Sequence, residues 1–216
     1  METLAMKVWG DHALFTRPES KAERMSYPFI TPAAARAILE CIVWKPEMKW
    51  EVTKIKVLNP IKFLSVTRNE RSNVLHPAKV NETIGEDKPL QRHSLFLKDV
   101  AYVIEGKIHV QPNVTHETNF NLQRKYESIF LQRLNKGQCF RRPYFGTREC
   151  SVQFSPVHES EVALPLTADF GTMLYDIKYP TYEKESAIPY FFNAKLMDGT
   201  LSIPNALYEE VHAPCM

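Results

Sequence analysis

Between Gly137 and Cys150 the chain reads Gly-Gln-Cys-Phe-Arg-Arg-Pro-Tyr-Phe-Gly-Thr-Arg-Glu-Cys, with arginines interleaved among aromatic rings. Guanidinium groups grip phosphates through a planar fork of N–H donors, and aromatic faces accept stacked bases, so this pattern suits a nucleic-acid strand. From Arg124 to Glu149 seven cations (Arg124, Lys125, Arg133, Lys136, Arg141, Arg142, Arg148) stand against two acids (Glu127, Glu149), a net of +5 in a chain whose total is only +2. The positive field is therefore local, as a protein needs if it is to guide a phosphate backbone along one face. The competing reading is a packed corner whose guanidiniums sit in water. No nucleophile elbow, Walker loop or usefully spaced carboxylate pair accompanies the run, which leaves an ATPase or a glycosidase without support. The four cysteines (Cys41, Cys139, Cys150, Cys215) form no Cys-x-x-Cys pair, and no histidine and cysteine cluster has zinc spacing, so no metal and no cofactor is expected.

The run must be held by flanking elements, and these are legible. Asn121 to Lys136 has Tyr126, Ile129, Phe130 and Leu134 at helical spacing, with Gly137 as the residue that ends the helix. An earlier helix starts at Thr31, an N-cap followed by Pro32, and carries the stripe Ala35, Ile38, Leu39 and Ile42 until Pro46 stops it; Arg36 and Glu40 mark its wet face. Met6 to Phe15, Trp50 to Leu58 and Ile61 to Thr67 read as strands, and a polar connector with Lys21 and Arg24 follows the first. Asp99 to Val110 alternates strictly, with Val100, Tyr102, Ile104, Ile108 and Val110 opposite Glu105, Lys107 and His109, which predicts a half-exposed strand. Arg68 to His93 has weak periodicity and reads as a long loop or protruding hairpin. After Cys150 no helix is expected: Met173 to Tyr179 alternates as a strand, and Phe191 to Ile203 reads as a hairpin turning at Asp198-Gly199.

Strand, helix, two strands, helix, strand is the order of a ferredoxin-like or RNA-recognition fold, an α+β class whose faces hold single strands. The expected organisation is a domain over 1–155 and a small β-rich extension over 156–216. A chain of 216 residues can bury a core without staples, and no apolar run approaches the roughly 20 residues that cross a bilayer. With no signal peptide in view and no paired cysteines, reduced thiols in a cytoplasm are the expectation, with no membrane partner.

A set of short segments in fixed order resembles a known family. Gly10-Asp11-His12-Ala13-Leu14-Phe15-Thr16-Arg17-Pro18-Glu19, Arg24-Met25-Ser26-Tyr27, Pro32-Ala33-Ala34-Ala35-Arg36, Trp44-Lys45-Pro46, Asn69-Glu70, Gln91-Arg92, Leu97-Lys98-Asp99-Val100, Tyr102-Val103-Ile104-Glu105 and Arg141 to Glu149 are similar to the CRISPR-associated Cas-five family, subtype I-C (Dvulg) branch. The resemblance implies an endoribonuclease of antiviral defence that cuts CRISPR precursor RNA at the repeat hairpin, without a metal, by attack of a ribose 2′-OH on the adjacent phosphate. It further implies that the protein stays on the 5′ handle of the mature guide, beside the other subunits of the Cascade surveillance complex. A subunit that grips the handle without cutting is the alternative, and duplex DNA is a further candidate partner for the basic patch.

Under this resemblance the RNA contacts are Arg17, Lys21, Arg24, Arg36, Arg68, Arg92, Arg124, Phe140, Arg141, Arg142, Tyr144 and Arg148. The family pattern puts a tyrosine immediately before Trp-Lys-Pro and a Lys-His pair at the start of the second helix. Here the tyrosine slot is Val43, expected on the polar side of the first helix, and the pair reads Lys125-Tyr126. Lys125 suits a phosphate, whereas Tyr126, with an ordinary pKa near 10, is a poor base and also falls on the apolar stripe of its helix. His93, at the end of the long loop, is the substitute acid or base, with His109 behind it. The catalytic expectation is therefore Lys125, Tyr126 and His93.

Overall fold

Alternating apolar residues and well-placed breakers divide the chain into nine strands and three helices over the residues described by the computed structural model, 3–20, 22–71, 89–110, 119–179 and 186–212. The strands are β1 Leu4–Ala13, β2 Arg24–Met25, β3 Met48–Val57, β4 Phe63–Arg71, β5 Pro89–Val110, β6 Gln153–Ser155, β7 Ala168–Lys178, β8 Ile188–Met197 and β9 Thr200–Ser202; the helices are α1 Pro32–Ile42, α2 Asn119–Asn135 and α3 Asn205–His212.

The units β1-α1-β3-β5-α2-β6 form the ferredoxin-like repeat: their strands lie in the order β6-β1-β5-β3 and every neighbouring pair is antiparallel. Both helices pack on one face of this sheet. Gly106 marks the closest approach, since a Cβ there would stand 3.1 Å from the Leu39 side chain and 2.9 Å from the Glu51 carbonyl. Beside it Trp50 meets Phe130 of α2 edge to face at 5.0 Å between ring centroids, a geometry worth about 0.5–1.5 kcal/mol beyond the area buried. The opposite face is covered in part: Lys7 and Trp9 are half-buried and Lys54 is exposed. Val103 is buried although the alternation predicts exposure, because the segment after β6 crosses there and Glu161 pairs at 2.6 Å with Lys7, the register partner of Val103.

β5 is 22 residues long and serves two sheets' worth of pairing. Its second half pairs β1 and β3. Its first half pairs β4, with Arg68 opposite Arg92 and Thr67 opposite His93. The stretch from Arg68 to His93 is thus a hairpin at its described ends, and residues 72–88 lie outside the described residues. The strand turns at Asp99, a non-glycine residue at φ 52° whose carbonyl accepts from Asn59 Nδ2 at 2.9 Å.

The C-terminal elements join the same sheet: β9 pairs β3, β8 pairs β9 and β7 pairs β8. The turn at Asp198-Gly199 has positive φ at both residues, 47° and 69°, as a two-residue hairpin requires. One expectation fails here. A third helix follows Ile203, and its Tyr208 stacks on His109 at 4.6 Å while His109 Nε2 meets Glu51 Oε2 at 2.6 Å. Eight residues carry too few turns for periodicity to reveal them. His109 is accordingly a docking residue for α3.

Candidate nucleic-acid interface and catalytic cluster

Thr31 begins α1 as its sequence requires: Oγ1 accepts from the Ala34 N–H at 3.2 Å and Pro32 takes the first helical position. The far end of α1 builds the site. Its last carbonyls have no partners within the helix, and α2 and the segment after it supply them: the N–H groups of Phe140 and Arg141 donate to Cys41 O at 2.8 and 3.1 Å, and Arg133 of α2 donates to Ile42 O at 2.5 Å. α2 itself ends in a Schellman turn, with Gln138 N–H on Arg133 O at 2.9 Å, Gly137 N–H on Leu134 O at 3.2 Å and Gly137 at φ 63°. That turn throws the arginine and aromatic run back across α1.

Within the run, alternate side chains point inward and outward. Phe145 is fully buried, edge-on to both Phe15 and Tyr102 with centroids 5.9 Å apart, and Pro143 and Cys150 are buried beside it. Gly146, at φ 79°, lies so flush on the chain that a Cβ would stand 2.0 Å from Leu14 O. These anchors leave Phe140, Arg141, Arg142, Tyr144 and Arg148 outside. Together with Ala37, Glu40, Cys41 and Trp44 of α1 and its exit, they line a cleft of about 850 Å³. Three aromatic rings stand open in it, Trp44 at 46%, Phe140 at 56% and Tyr144 at 42% exposure, and the Arg141 guanidinium rides 5.6 Å from the centre of the Phe140 ring. Trp44 is the contact that the sequence reading missed. It lies two residues past Ile42, the last residue of α1, in the irregular exit after the extended Val43, where helical spacing carries no signal for it.

The basic band continues beyond the cleft. Arg68 pairs with Glu149 and lies over the Phe96 ring at 5.2 Å, Arg92 donates to Ala22 O at 3.1 Å, and Arg17 lies over Tyr27 at 5.2 Å. Arg24 sits on β2 next to Ser94, Arg124 is exposed on α2, and Lys21 lies outside the described residues. Arg36 corrects an expectation. Its Nε and NH2 donate to Asp176 at 2.9 and 2.7 Å and its NH1 to Glu40 at 2.5 Å, so this guanidinium ties α1 to β7 and has no fork left for RNA. Burial opposes its charge, but the hydrogen bonds and charges of Asp176 and Glu40 outweigh that and raise its pKa. The surface expected to be wet is instead the helix's third packing face.

The catalytic positions separate into two places. Val43 is not on a polar helix face: it is the C-cap of α1, extended at φ −141° and ψ 124°, 2% exposed, with Trp50 Nε1 donating to its carbonyl at 3.0 Å. A tyrosine put there would enter the core. Lys125 is exposed and Tyr126 is buried to 4%, with its ring in the core stripe and its hydroxyl donating to the carboxylate of Glu47. That hydrogen bond is the main cause holding the Glu47 carboxyl below its ordinary pKa; the hydrogen bond from its own backbone N–H comes next, and the Lys45 and Lys125 charges add less, against burial, which raises it. His93 is elsewhere. It meets Thr67 Oγ1 at 3.1 Å in the hairpin, seventeen residues back along β5 from Val110, whose register partner Met48 adjoins Glu47. At about 3.3 Å per residue this is on the order of 50 Å of strand, and the structure does not bring His93 to Lys125 and Tyr126. Glu47 was absent from the sequence reading. Among the described residues no group of three or more histidine, cysteine, aspartate and glutamate side chains could hold a metal ion.

The sequence profile of the CRISPR-associated protein family Cas_Cas5, in its Cas_Cas5d form, matches residues 3–204. This chain belongs to the Cas5 family. Two relatives named CRISPR pre-crRNA endoribonuclease Cas5d align over nearly their whole lengths: that of Mannheimia succiniciproducens is 39% identical, covering 96% of this chain and 97% of its own, and that of Thermus thermophilus is 38% identical, covering 98% and 96%. A crystal structure of a CRISPR-associated protein superposes with a TM-score of 0.68 at 24% identity, covering 94% of this chain and 92% of its own. A functionally uncharacterized Streptococcus mutans protein does so with the same score at 22% identity and the same coverage. These structures share the fold of this Cas5 chain.

Proposed function

We propose that this Cas5 protein is the endoribonuclease that cuts CRISPR precursor RNA at the repeat hairpin and then holds the 5′ handle of the guide as a subunit of the Cascade complex. The observation that carries the reading is the cleft between α1 and the 140–151 segment, where Trp44, Phe140 and Tyr144 offer stacking faces and Arg141, Arg142 and Arg148 offer phosphate donors. The near full-length similarity to two proteins named pre-crRNA endoribonucleases supports cutting as well as gripping. The ferredoxin-like elements and the 140–151 segment supply this surface, and β7, β8 and β9 widen the sheet beside it. No helix among the described residues is long and apolar enough to cross a membrane, and the cytoplasm, where the precursor is made, is the compartment that fits.

In this reading the arginines position the strand and the rings hold unpaired bases, while the 2′-OH of one ribose attacks its own 3′ phosphate to leave a 2′,3′-cyclic phosphate. The direct test is to incubate the protein with its own repeat RNA in EDTA. A single cut within the repeat that leaves a cyclic phosphate end is expected, and intact RNA would leave only the gripping role.

The binding surface is tested by comparing two variants over a salt series. Trp44→Ala is expected to weaken repeat binding by about 1–3 kcal/mol, the usual worth of one stacked base, with the salt slope unchanged. Arg141→Ala with Arg142→Ala is expected to flatten the slope of log K against log salt by about 1.4, two contacts at roughly 0.7 each on a single strand. Slopes that coincide with wild type for the arginine pair would turn this face away from the RNA.

A further inference from the structure

We propose that Glu47 is the general base of this enzyme's RNA cleavage and that Tyr126 is the positioning residue that holds its carboxylate. The proposal rests on the endoribonuclease reading above and names the proton acceptor which that reading lacks.

The need is specific. Attack by a 2′-OH requires a group to take its proton. Val43 has none to offer and is buried; Tyr126 keeps its own proton in the bond to Glu47; His93 is at the other end of β5. The carboxylate that the structure does place beside Lys125 and Tyr126 is Glu47. It sits in the turn after α1, partly open to solvent, three residues past Trp44, and three residues of chain span at most about 10 Å. A strand stacked on Trp44 therefore has its neighbouring ribose and phosphate within reach of this turn. The charged and titratable groups that act on Glu47 are Tyr126 and Lys125 from α2 and Lys45 from its own turn.

The roles divide by chemistry. The phenol of Tyr126 occupies one lobe of the carboxylate and fixes its orientation, leaving other lone pairs to accept. The Glu47 carboxylate takes the proton of the 2′-OH as the 2′-oxygen bonds to phosphorus. The bond from phosphorus to the 5′-oxygen breaks, and that oxygen takes a proton from solvent water. Lys125, whose charge reaches the Glu47 carboxylate, neutralises the negative charge that gathers on the phosphoryl oxygens.

A carboxylate base also predicts a distinctive pH profile. Because Glu47 is held below its ordinary value first by the Tyr126 hydrogen bond, then by its own backbone N–H, with Lys45 and Lys125 adding less, it is already deprotonated throughout the neutral range. The cutting rate should be flat from about pH 5.5 to 8, whereas a histidine base would give a limb near 6.5.

The test is single-turnover cleavage of the repeat in EDTA, with binding and melting temperature measured on the same samples. Glu47→Gln keeps the shape and the Tyr126 hydrogen bond; it is expected to cut about 10²- to 10⁴-fold more slowly and to bind the repeat within threefold of wild type. Tyr126→Phe keeps the core packing and frees the carboxylate, so its cutting should fall less and its acid limb should move to higher pH, a shift that lost packing would not produce. If Glu47→Gln loses stability, the Tyr126→Phe pH profile decides the matter, and an unmoved limb overturns the proposal. A Glu47→Gln enzyme that cuts within threefold of wild type overturns the proposal and leaves the nuclease reading standing. A wild type that leaves its repeat intact overturns both.

Discussion

Lys125→Ala is expected to slow single-turnover cutting of the repeat by about 10²- to 10³-fold, the usual loss when one stabiliser of transition-state charge is removed. Binding should change by no more than a few-fold, because the cations that line the cleft are Arg141, Arg142 and Arg148 and not this lysine. The physical basis is position. Lys125 is exposed on α2 next to Tyr126, and its charge reaches the Glu47 carboxylate, so a phosphate lying between Trp44 and this turn would be met from one side by a cation. Lys125→Arg should recover part of the rate, since the charge returns in a different geometry. Rapid-quench cleavage with protein in excess over labelled repeat separates the chemical step from binding. An alanine variant that cuts as fast as wild type would show that the developing charge is stabilised elsewhere along the basic band.

The second large effect is on stability. Asp176→Ala is expected to destabilise the fold by about 3 kcal/mol, because it strips a largely buried Arg36 guanidinium of the carboxylate that receives two of its donors. For a chain of this size that corresponds to a melting temperature lower by roughly 6–12 °C. The Glu40 carboxylate, 2.5 Å from Arg36 NH1, limits the loss by keeping one partner in place. Arg36→Met with Asp176→Leu should regain most of the stability, since removing both charges removes the cost of burying either. Calorimetry on the three proteins reads this directly. If the single variant melts with wild type, the pair is solvated in solution and contributes as little as an exposed ion pair does.

The outline of the fold was legible because its signals are local. Thr31 followed by Pro32, Pro46 at the exit of α1, Gly137 after α2 and Asp198-Gly199 between β8 and β9 each act through backbone dihedrals or a single cap, and each lies where its residue type requires. The alternation from Asp99 to Val110 likewise made a strand inevitable, and the order of elements then left the ferredoxin-like sheet as the arrangement that buries them. The basic and aromatic character of 137–150 was also plain from composition alone.

What only the tertiary structure decided are relations between residues far apart in the chain. Arg36 reads as a wet-face cation until Asp176, 140 positions later, is laid against it. Val43 reads as helical and polar-facing until the chain leaves the helix there and the side chain falls into the core. Tyr144 and Phe145 are adjacent aromatics of similar size, yet one lines the cleft and the other is packed between Phe15 and Tyr102. Glu47 acquires a role only from Tyr126, 79 residues away. The reason is the same in each case: propensity and periodicity sum over a few neighbouring residues, whereas a side chain's partner, and so its charge state and its use, is set by which surfaces the topology presses together.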